Sequence, residues 1–308
     1  MNSLFLYNED MEEKLNKLKT ESRNPKSMQL DTLSSLEIVR LMNDEDKQIA
    51  LAVENEMDKI ACAVDVIVKQ LNNHGRVLVF GAGTSGRLAV LDASEIPPTF
   101  SSFNQFIGLV AGGDEALRSS IENAEDSKDL CVEELKALHF TKNDVAIGVA
   151  ASGRTPYCLG GLEYAQKLGA HSIAICCNKE TAMGKVAEIA IEVEVGPEIL
   201  TGSTRLKSGT AQKMVLNMLS TASMVGLGKA YSNLMVDVNP SNVKLMDRAK
   251  RIIMEATHCE YYEAEQKLIE SDYRVKVAIV MILNKCDSFT AESKLEKADG
   301  FIRKTIKK

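Results

Sequence analysis

The sequence predicts an α/β fold: a doubly wound, five-stranded parallel sheet with N-terminal helices before it and a small helical C-terminal domain after it. Five short apolar runs have the length and composition of buried strands. They lie near 76–80, 106–110, 144–150, 171–176 and 189–195. Segments with helical spacing separate these runs, and such alternation is typical of a parallel sheet with helices on both faces. Two of the strands lead into loops of small hydroxyl residues, at the strand ends where such sheets bind ligands.

Helical segments precede the first strand. Ser34 and Glu37 form the pattern of a capping box, and apolar residues three or four apart predict one long helix over 45–71. We assign residues 1–44 to an N-terminal arm and capping helix. The first thirty residues are polar and have no periodicity, which leaves open whether they form a flexible arm or an arm that wraps a neighbouring subunit or closes a site.

Four helices are predicted between and after the strands, over 86–95, 114–138, 157–168 and 179–187. Pro97 and Pro98 are expected to end the first of them. A further helix is expected to open at about residue 202. The turn residues Asn239, Pro240 and Ser241 then mark a boundary between a domain over 45–240 and a small helical domain over 241–308.

The composition excludes several classes of protein. A net charge of −6 and a pI near 5.5 argue against nucleic acid as the main partner. No apolar run has the length of a membrane span, and there is no signal peptide pattern. The seven cysteines include no C-x-x-C pair and no cluster with zinc spacing. We therefore expect a cytoplasmic protein with reduced thiols, without a metal or other cofactor, and without a membrane or nucleic acid partner.

The run 77–87 reads as a buried strand, a glycine-rich turn and the start of a helix. Glycines let the backbone pass close to a ligand, and the first amides of a helix point outward without partners. An anion placed there accepts several N–H bonds at the positive end of the helix dipole. The turn residues Gly83 and Gly86, with the hydroxyls of Thr84 and Ser85, therefore predict a phosphate-binding loop.

The same turn matches the dinucleotide fingerprint G-x-G-x-x-G, which is a weak signal by itself. A dinucleotide site needs an acidic residue at the end of the next strand, but the strand at 106–110 ends in Ala-Gly-Gly. The strand at 144–150 leads into a second hydroxyl loop, whose candidate binding residues are Ser152, Gly153, Arg154 and Thr155. Two such loops favour a small phosphorylated ligand over a dinucleotide.

Two more sets of residues are candidates for this site. Ser203 and Thr204 are ordinary helix-cap types, but beside two phosphate loops they become candidate substrate-binding residues. Only four histidines occur, each beside turn or helix-end residues, which argues against a histidine-dependent triad. Acid–base work would then fall to carboxylates. Glu95 ends the helix that starts at the first loop, and Glu125 lies on the helix predicted after the second strand; a solvated surface position is the alternative for either.

Several longer motifs accompany these residues. They are R-N-P (23–25), L-E (36–37), G-A-G-T-S-G-R (81–87), L-D-A-S-E (91–95), P-P-T (97–99), A-E-D (124–126), A-S-G-R-T-P (151–156), T-G-S-T-R-L-K (201–207), G-T-A-Q-K (209–213) and N-L-M-V-D-V (233–238). Together they resemble the N-acetylmuramic acid 6-phosphate etherase family from about residue 20 to beyond 300. The chain departs from the family pattern at Ile96 and within 101–105, 121–123 and 176–180, outside the two proposed carboxylates and the phosphate loops.

The resemblance implies the sugar isomerase (SIS) fold, with 45–240 as its phosphosugar-binding domain. It also implies a cytoplasmic homodimer that takes part in recycling of cell-wall murein. The implied reaction cleaves the D-lactyl ether of N-acetylmuramic acid 6-phosphate to N-acetylglucosamine 6-phosphate and D-lactate, without a cofactor. By the same resemblance, Glu95 protonates the departing lactate, and Glu125 is the second catalytic carboxylate, acting as base at C2.

Two other functions share these features. An aldose–ketose phosphosugar isomerase of the SIS superfamily would have the same phosphate loops and a base at C2, but it would release no lactate. A phosphosugar sensor that resembles glucokinase regulatory protein would bind the sugar without turnover. That sensor has two SIS modules, whereas 308 residues leave room for one.

Overall fold

The computed structural model describes residues 18–119, 121, 123–238, 240 and 242–306. The described chain divides into two compact units. The first contains the residues up to 93 and those from 106 to 219, and the second contains 94–105 and the residues from 220 onward. The domain boundaries predicted from the sequence, at 44/45 and 240/241, stay predictions, and the expectations for residues 1–17 lie outside the described residues.

The first unit is built on one parallel sheet with strand order β2-β1-β3-β4-β5. The strands are β1 (Val77–Gly81), β2 (Phe106–Val110), β3 (Val145–Val149), β4 (His171–Cys176) and β5 (Ile189–Glu192). Every residue of β1 and β3 is buried, and Leu78 of β1 pairs with Ile107 of β2 and Ala146 of β3. Because the chain winds one way from β1 to β2 and the other way from β3 onward, the topological switch point lies between β1 and β3.

Helices precede the sheet in the sequence, connect its strands and follow its last strand. They are α1 (Ser35–Glu54), α2 (Met57–Asn72), α3 (Gly83–Phe100), α4 (Lys128–Ala137), α5 (Pro156–Leu168), α6 (Ala182–Val186) and α7 (Lys207–Gly226). One continuous core joins the sheet to α4, α5 and α6 through Phe80, Leu135, Tyr157, Leu162 and Met183, which are all fully buried. The α/β class, the five parallel strands and the flanking helices are thereby confirmed.

The second unit is mainly helical. A short hairpin of β6 (Ala230–Tyr231) and β7 (Leu234–Met235) precedes five helices. These are α8 (Val243–Thr257), α9 (Tyr261–Glu270), α10 (Val275–Asn284), α11 (Ser288–Lys297) and α12 (Ile302–Thr305). Their apolar faces form a separate core around Ile253, Leu268, Ile279 and Val280, which confirms the helical C-terminal region.

The prediction of one long helix over 45–71 is wrong, because the chain forms two helices there, α1 and α2, with a break between them. The residue at the break is Glu56, which is only 3% exposed. Its carboxylate accepts hydrogen bonds from Lys179 and from the backbone N–H of Glu192, and it pairs with Lys59 at 3.1 Å. Lys179 and Glu192 are distant in the sequence, so the spacing of the apolar residues over 45–71 does not indicate the break at Glu56. The predicted capping box of Ser34 and Glu37 is confirmed.

The prediction that Pro97 and Pro98 end helix α3 is wrong, since the helix continues to Phe100. Proline supplies no N–H to the preceding turn, but the residues that follow the two prolines still donate hydrogen bonds back to the last turns of the helix. Thr99 Oγ1 donates to the Glu95 carbonyl at 2.8 Å, and the Ser101 N–H donates to the Pro97 carbonyl at 2.9 Å.

The long helix predicted over 114–138 is also wrong. This stretch contains two short 3₁₀ turns, Asp114–Leu117 and Ala124–Asp126, before α4 begins at Lys128. Asn123 adopts a left-handed conformation (φ 64°), which a helix cannot contain, and Ser127 caps α4 by accepting from the Leu130 N–H. Glu125 therefore lies on a 3₁₀ turn rather than on a helix. Similarly, α7 begins at Lys207, five residues after its predicted start.

A buried ion pair connects α1 to the start of α7. Glu45 Oε2 lies 2.7 Å from Lys207 Nζ, and Glu45 also accepts from Asn24 and Lys26. Burial raises the pKa of Glu45, but the hydrogen bonds from Lys207, Lys26 and Asn24 outweigh it and lower the pKa to about 2. The charged carboxylate is therefore the form that the fold stabilises.

The Glu45 carboxylate gives a testable pH dependence. Because its pKa is lowered from an ordinary 4.5 to about 2 in the folded chain, its stabilising effect is complete above pH 4.5 and is lost as the pH falls toward 2. Each pKa unit corresponds to about 1.4 kcal/mol, so we expect Glu45→Gln to reduce the free energy of unfolding by about 3–4 kcal/mol at pH 7. Urea unfolding across this pH range should show the wild-type and variant curves converging near pH 2.

Glu54→Gln removes an exposed carboxylate from the same helix and is the matched control. The free energy of unfolding of this variant should change with pH in the same way as that of the wild type, from pH 7 to pH 2. A constant gap between the Glu45→Gln and wild-type curves from pH 7 to pH 2 would contradict the role assigned to the ion pair.

Candidate active site

The first hydroxyl loop turns back directly onto the end of its own strand. Strand β1 ends at Gly81 and α3 begins at Gly83. A Cβ at Gly86 would lie only 2.4 Å from the Gly81 carbonyl oxygen, so no larger residue fits there. The first turn of α3 thus lies immediately beyond β1, and its backbone N–H groups are those of a helix N-terminus, the kind of position where proteins commonly bind anions.

The second hydroxyl loop follows β3 and is braced from β4 and α6. Gly153 has φ +67°, and a Cβ there would lie 2.4 Å from Thr181. The Gly153 N–H donates to the Ala150 carbonyl at 3.1 Å, and its own carbonyl accepts from the Met183 N–H at 2.9 Å. Ser152 Oγ accepts from the Arg154 N–H, and the loop ends at Thr155 before α5.

Both loops lie at the carboxyl ends of β1 and β3, on the two sides of the switch point. Ser152, Arg154 and Thr155 are partly exposed, as are Thr84 and the segment around Ser203 and Thr204. Because β1 and β3 are parallel neighbours in the sheet, the strand order agrees with the prediction that the two loops lie at the same edge. Binding of a phosphoryl group by these residues stays a prediction.

The start of α7 lies beside the first loop. Ser85 Oγ donates to Gln212 Oε1 at 2.9 Å, and a Cβ at Gly209 would contact Thr84 Cγ2 at 3.4 Å. Ser203 and Thr204 are in the turn before this helix, where the Thr204 carbonyl accepts from the Gly209 N–H. The segment 201–213 is therefore adjacent to the first loop, whereas a substrate contact of Ser203 or Thr204 stays a prediction.

Gln212 is a site residue that the sequence interpretation missed. It is 1% exposed, and within the described part of the chain its Nε2 has no hydrogen-bond partner. The orientation of such an amide is assigned from its partners. With the amide turned over, Nε2 would donate to Ser85 Oγ, and the Ser85 O–H would be free to donate to an anion. The motif G-T-A-Q-K contains this residue but does not indicate its partner.

A cavity of about 420 Å³ opens beyond the ends of β1 and β2. Its lining residues come from the first loop and from the segment after β2: Ala82, Gly83, Arg87, Ala111, Ala116, Ser119, Ile121, Asn123 and Glu125. Asn123 and the 3₁₀ turn that follows it place Glu125 at this cavity, although the side chain is exposed. The structure thus brings Glu125 together with Gly83 of the predicted phosphate loop.

A buried thiol lies at the switch point. Cys158 Sγ lies 3.4 Å from the Val149 carbonyl and 3.8 Å from the Phe80 carbonyl, between the ends of β3 and β1. Burial raises the pKa of the Cys158 thiol, and the neighbouring Cys176 raises this pKa further. The thiol is therefore held in its neutral form.

Glu95 lies on α3, twelve residues after Gly83 in the sequence. It belongs to the second compact unit, and its side chain is exposed. A joint action of Glu95 and Glu125 on one substrate stays a prediction.

Among the described residues, no three His, Cys, Asp or Glu side chains are grouped as ligands for a metal ion. Within the same ranges, no helix has the length and hydropathy needed to cross a membrane.

The fold and the two loops define the class of this protein. Residues 59–166 match the glucokinase regulatory protein N-terminal SIS domain, and residues 133–222 match the SIS domain. The fold is also similar to that of a phosphoheptose isomerase from Francisella tularensis, with a TM-score of 0.50 and 21% identity over 62% of this chain and 98% of that one. The chain is a SIS-domain protein.

Closer relatives identify the family. An N-acetylmuramic acid 6-phosphate etherase from Vibrio atlanticus is 54% identical over 95% of this chain and 96% of that protein. N-acetylmuramic acid 6-phosphate etherase 2 from Lactiplantibacillus plantarum is also 54% identical, over 95% of this chain and 99% of that protein. The chain belongs to the N-acetylmuramic acid 6-phosphate etherase family, whose members are carbon–oxygen lyases, and the resemblance drawn from the motifs is confirmed.

The Ser85–Gln212 contact gives a prediction for stability. Ser85→Ala leaves the buried Gln212 amide without its partner, and we expect it to lower the free energy of unfolding by about 1–3 kcal/mol. Adding Gln212→Met removes the unpaired amide and should restore most of this loss. Chemical denaturation of the two variants measures the difference; a double variant no more stable than Ser85→Ala would contradict the contact.

Binding of inorganic phosphate separates this structural effect from a ligand contact. Gln212→Met alone keeps the Ser85 hydroxyl, so its phosphate affinity should remain close to that of the wild type. Both variants that carry Ser85→Ala should lose affinity about tenfold or more, because a hydrogen bond to a charged group is removed. Calorimetric titration checks both expectations.

Proposed function

We propose that this chain cleaves the ether bond between D-lactate and C3 of N-acetylmuramic acid 6-phosphate, giving N-acetylglucosamine 6-phosphate and D-lactate. The observation that carries the proposal is the cavity where Glu125 lies with Gly83, at the start of the predicted phosphate loop. The names and high identity of the relatives support the same substrate. The phosphoryl group would occupy the N–H groups and hydroxyls of the two loops on either side of the switch point.

The reaction that suits these residues is an elimination followed by an addition. In the open-chain sugar, the C1 aldehyde makes the C2 proton acidic. A carboxylate removes that proton, the C2–H electrons form a C2=C3 double bond, and the C3–O bond breaks with its electrons moving to the lactate oxygen. A carboxylic acid gives this oxygen a proton, and D-lactate leaves. Water then adds its oxygen to C3 and its proton to C2, so the sum is hydrolysis of the ether without any change in redox state.

In this scheme Glu125 is the base at C2, and Glu95 is the acid that protonates the lactate oxygen. The position of Glu125 at the cavity supports its part of the assignment, and the matching A-S-E segment supports the assignment of Glu95. After the elimination both groups have the protonation states needed for the addition of water, because the base has gained a proton and the acid has lost one.

The setting of this activity is part of the proposal. We propose that the enzyme acts in the cytoplasm as a homodimer in the recycling of murein sugars, and that it needs no cofactor. Seven free cysteines, four of them buried, are consistent with a reducing compartment. The elimination and addition need only acid, base and water.

Replacement of either carboxylate tests the mechanism. We expect Glu95→Gln and Glu125→Gln each to reduce kcat for D-lactate release by about a hundredfold or more, the usual effect of an acid–base group. Affinity for N-acetylglucosamine 6-phosphate should remain within about threefold of the wild type, because the phosphate loops are unchanged. A coupled D-lactate assay and calorimetry measure the two quantities.

Asp126→Asn is the matched control, since Asp126 is the exposed neighbour of Glu125 on the same 3₁₀ turn. This variant should keep normal turnover. A wild-type enzyme that isomerises a phosphosugar without releasing lactate would indicate an isomerase, and one that binds phosphosugars with no turnover would indicate a sensor. An unchanged kcat in Glu95→Gln or Glu125→Gln would remove that residue from the mechanism.

A further inference from the structure

One lining residue of the 420 Å³ cavity has no part in the mechanism described above. Arg87 lies on α3, one helical turn after Gly83, and it is the one cationic side chain among the lining residues that the structure describes. The same cavity holds the carboxylate of Glu125. A guanidinium group is therefore available beside the proposed base.

Two backbone carbonyl groups hold the Arg87 side chain in place. Arg87 Nε donates to the Leu117 carbonyl at 3.2 Å, and one Nη donates to the Ser119 carbonyl at 3.1 Å. These contacts use two of the five N–H groups of a guanidinium. Within the described ranges, no carboxylate lies within 4.0 Å of Arg87. The carbonyl groups orient the guanidinium, and its remaining N–H groups can bind an anion.

The chemistry of the proposed substrate supplies two anions. The phosphoryl group has the backbone N–H groups and hydroxyls of the two loops. The second anion is the carboxylate of the lactyl group, which is attached at C3, next to the C2 atom on which Glu125 acts. Because Glu125 is the proposed base at C2, a cationic side chain beside it in the cavity would lie near the substituent on C3. A planar guanidinium matches the two oxygens of a carboxylate in a bidentate contact.

We propose that Arg87 binds the carboxylate of the lactyl group and is the residue that selects substrates carrying this second anion. This inference rests on the function proposed above and adds a specificity residue to it. Arg87 orients the leaving group and does not exchange a proton with it. Phosphosugars without the lactyl carboxylate lack this contact, which separates the substrate of an etherase from that of a phosphosugar isomerase.

The test compares two substrates that differ only at this carboxylate. One is N-acetylmuramic acid 6-phosphate, and the other is its analogue with a neutral carboxamide in place of the lactyl carboxylate. Ether cleavage of both is followed by the release of N-acetylglucosamine 6-phosphate. We expect the wild type to prefer the carboxylate by about tenfold or more in kcat/KM, the effect of a charge-assisted hydrogen bond. In Arg87→Met this preference should fall to about threefold or less.

The ratio of the two substrates distinguishes binding from a structural role of Arg87. Loss of the contacts to Leu117 and Ser119 would slow both substrates equally and leave the ratio unchanged, which would overturn the proposal. A wild type with no preference for the carboxylate would overturn it as well. Arg118→Met removes an exposed positive charge from the same segment and should keep the wild-type ratio. Arg87→Lys keeps the positive charge but not the planar guanidinium that binds a carboxylate through two N–H groups. Its ratio of kcat/KM for the two substrates should be intermediate, and this variant serves as the test if Arg87→Met fails to fold.

Equilibrium binding separates this proposal from the proposed reaction. If the wild type released no lactate, the etherase function would be rejected. The ratio of the dissociation constants of the two compounds for wild type and Arg87→Met, measured by calorimetry, would still report whether Arg87 recognises the carboxylate. A ratio that is the same in both proteins would reject the Arg87 contact whether or not turnover occurs.

Discussion

The close approach of α3 to the end of β1 is the constraint on which the rest of the site depends. A Cβ at Gly86 would lie 2.4 Å from the Gly81 carbonyl, and a Cβ at Gly81 would lie 2.8 Å from the Val149 carbonyl. With any larger residue at these positions, the helix would have to start farther from the sheet. The two glycines therefore hold the first N–H groups of α3 directly above the switch point, where β1 and β3 both end. This packing, and not any one side chain, determines where an anion would meet the N-terminal end of the helix.

Buried charge behind the loops fixes α7 in its position beside them. Glu198 is fully buried, and its carboxylate accepts from the backbone N–H groups of Lys207 and Ser208, at 2.9 and 3.0 Å. Glu45 pairs with the side chain of Lys207. Removing one partner of such a buried pair leaves the other charge without compensation, so the pair stabilises only the arrangement in which both partners meet. Asn24 of the R-N-P motif belongs to the same buried network, since it donates to Glu45 and to the Pro197 carbonyl. In the sequence, this motif lies far from the residues that line the cavity.

The parts of the fold that were predictable from the sequence are those that local residues determine. Each strand is a short apolar run between turn residues, and each hydroxyl loop follows its strand directly, so periodicity and glycine content located both. One error arose where distant partners determine the backbone conformation, since the break at Glu56 depends on Lys179 and Glu192. Another arose at Asn123, a residue type that tolerates the left-handed conformation, in a stretch with helical periodicity. Ser85 and Gln212 are 127 residues apart, so their contact could be found only in the folded chain.

The site also divides its tasks between two kinds of segment. The loops after β1 and β3 are held by backbone contacts, and in the proposed function they bind the phosphoryl group. The crossover between β2 and α4 is irregular, and it brings Glu125 to the cavity and supplies the carbonyl groups of Leu117 and Ser119 that orient Arg87. In the proposed function, the two loops of the sheet bind the phosphosugar, whereas this crossover supplies the base and orients the guanidinium that together determine the reaction and the leaving group.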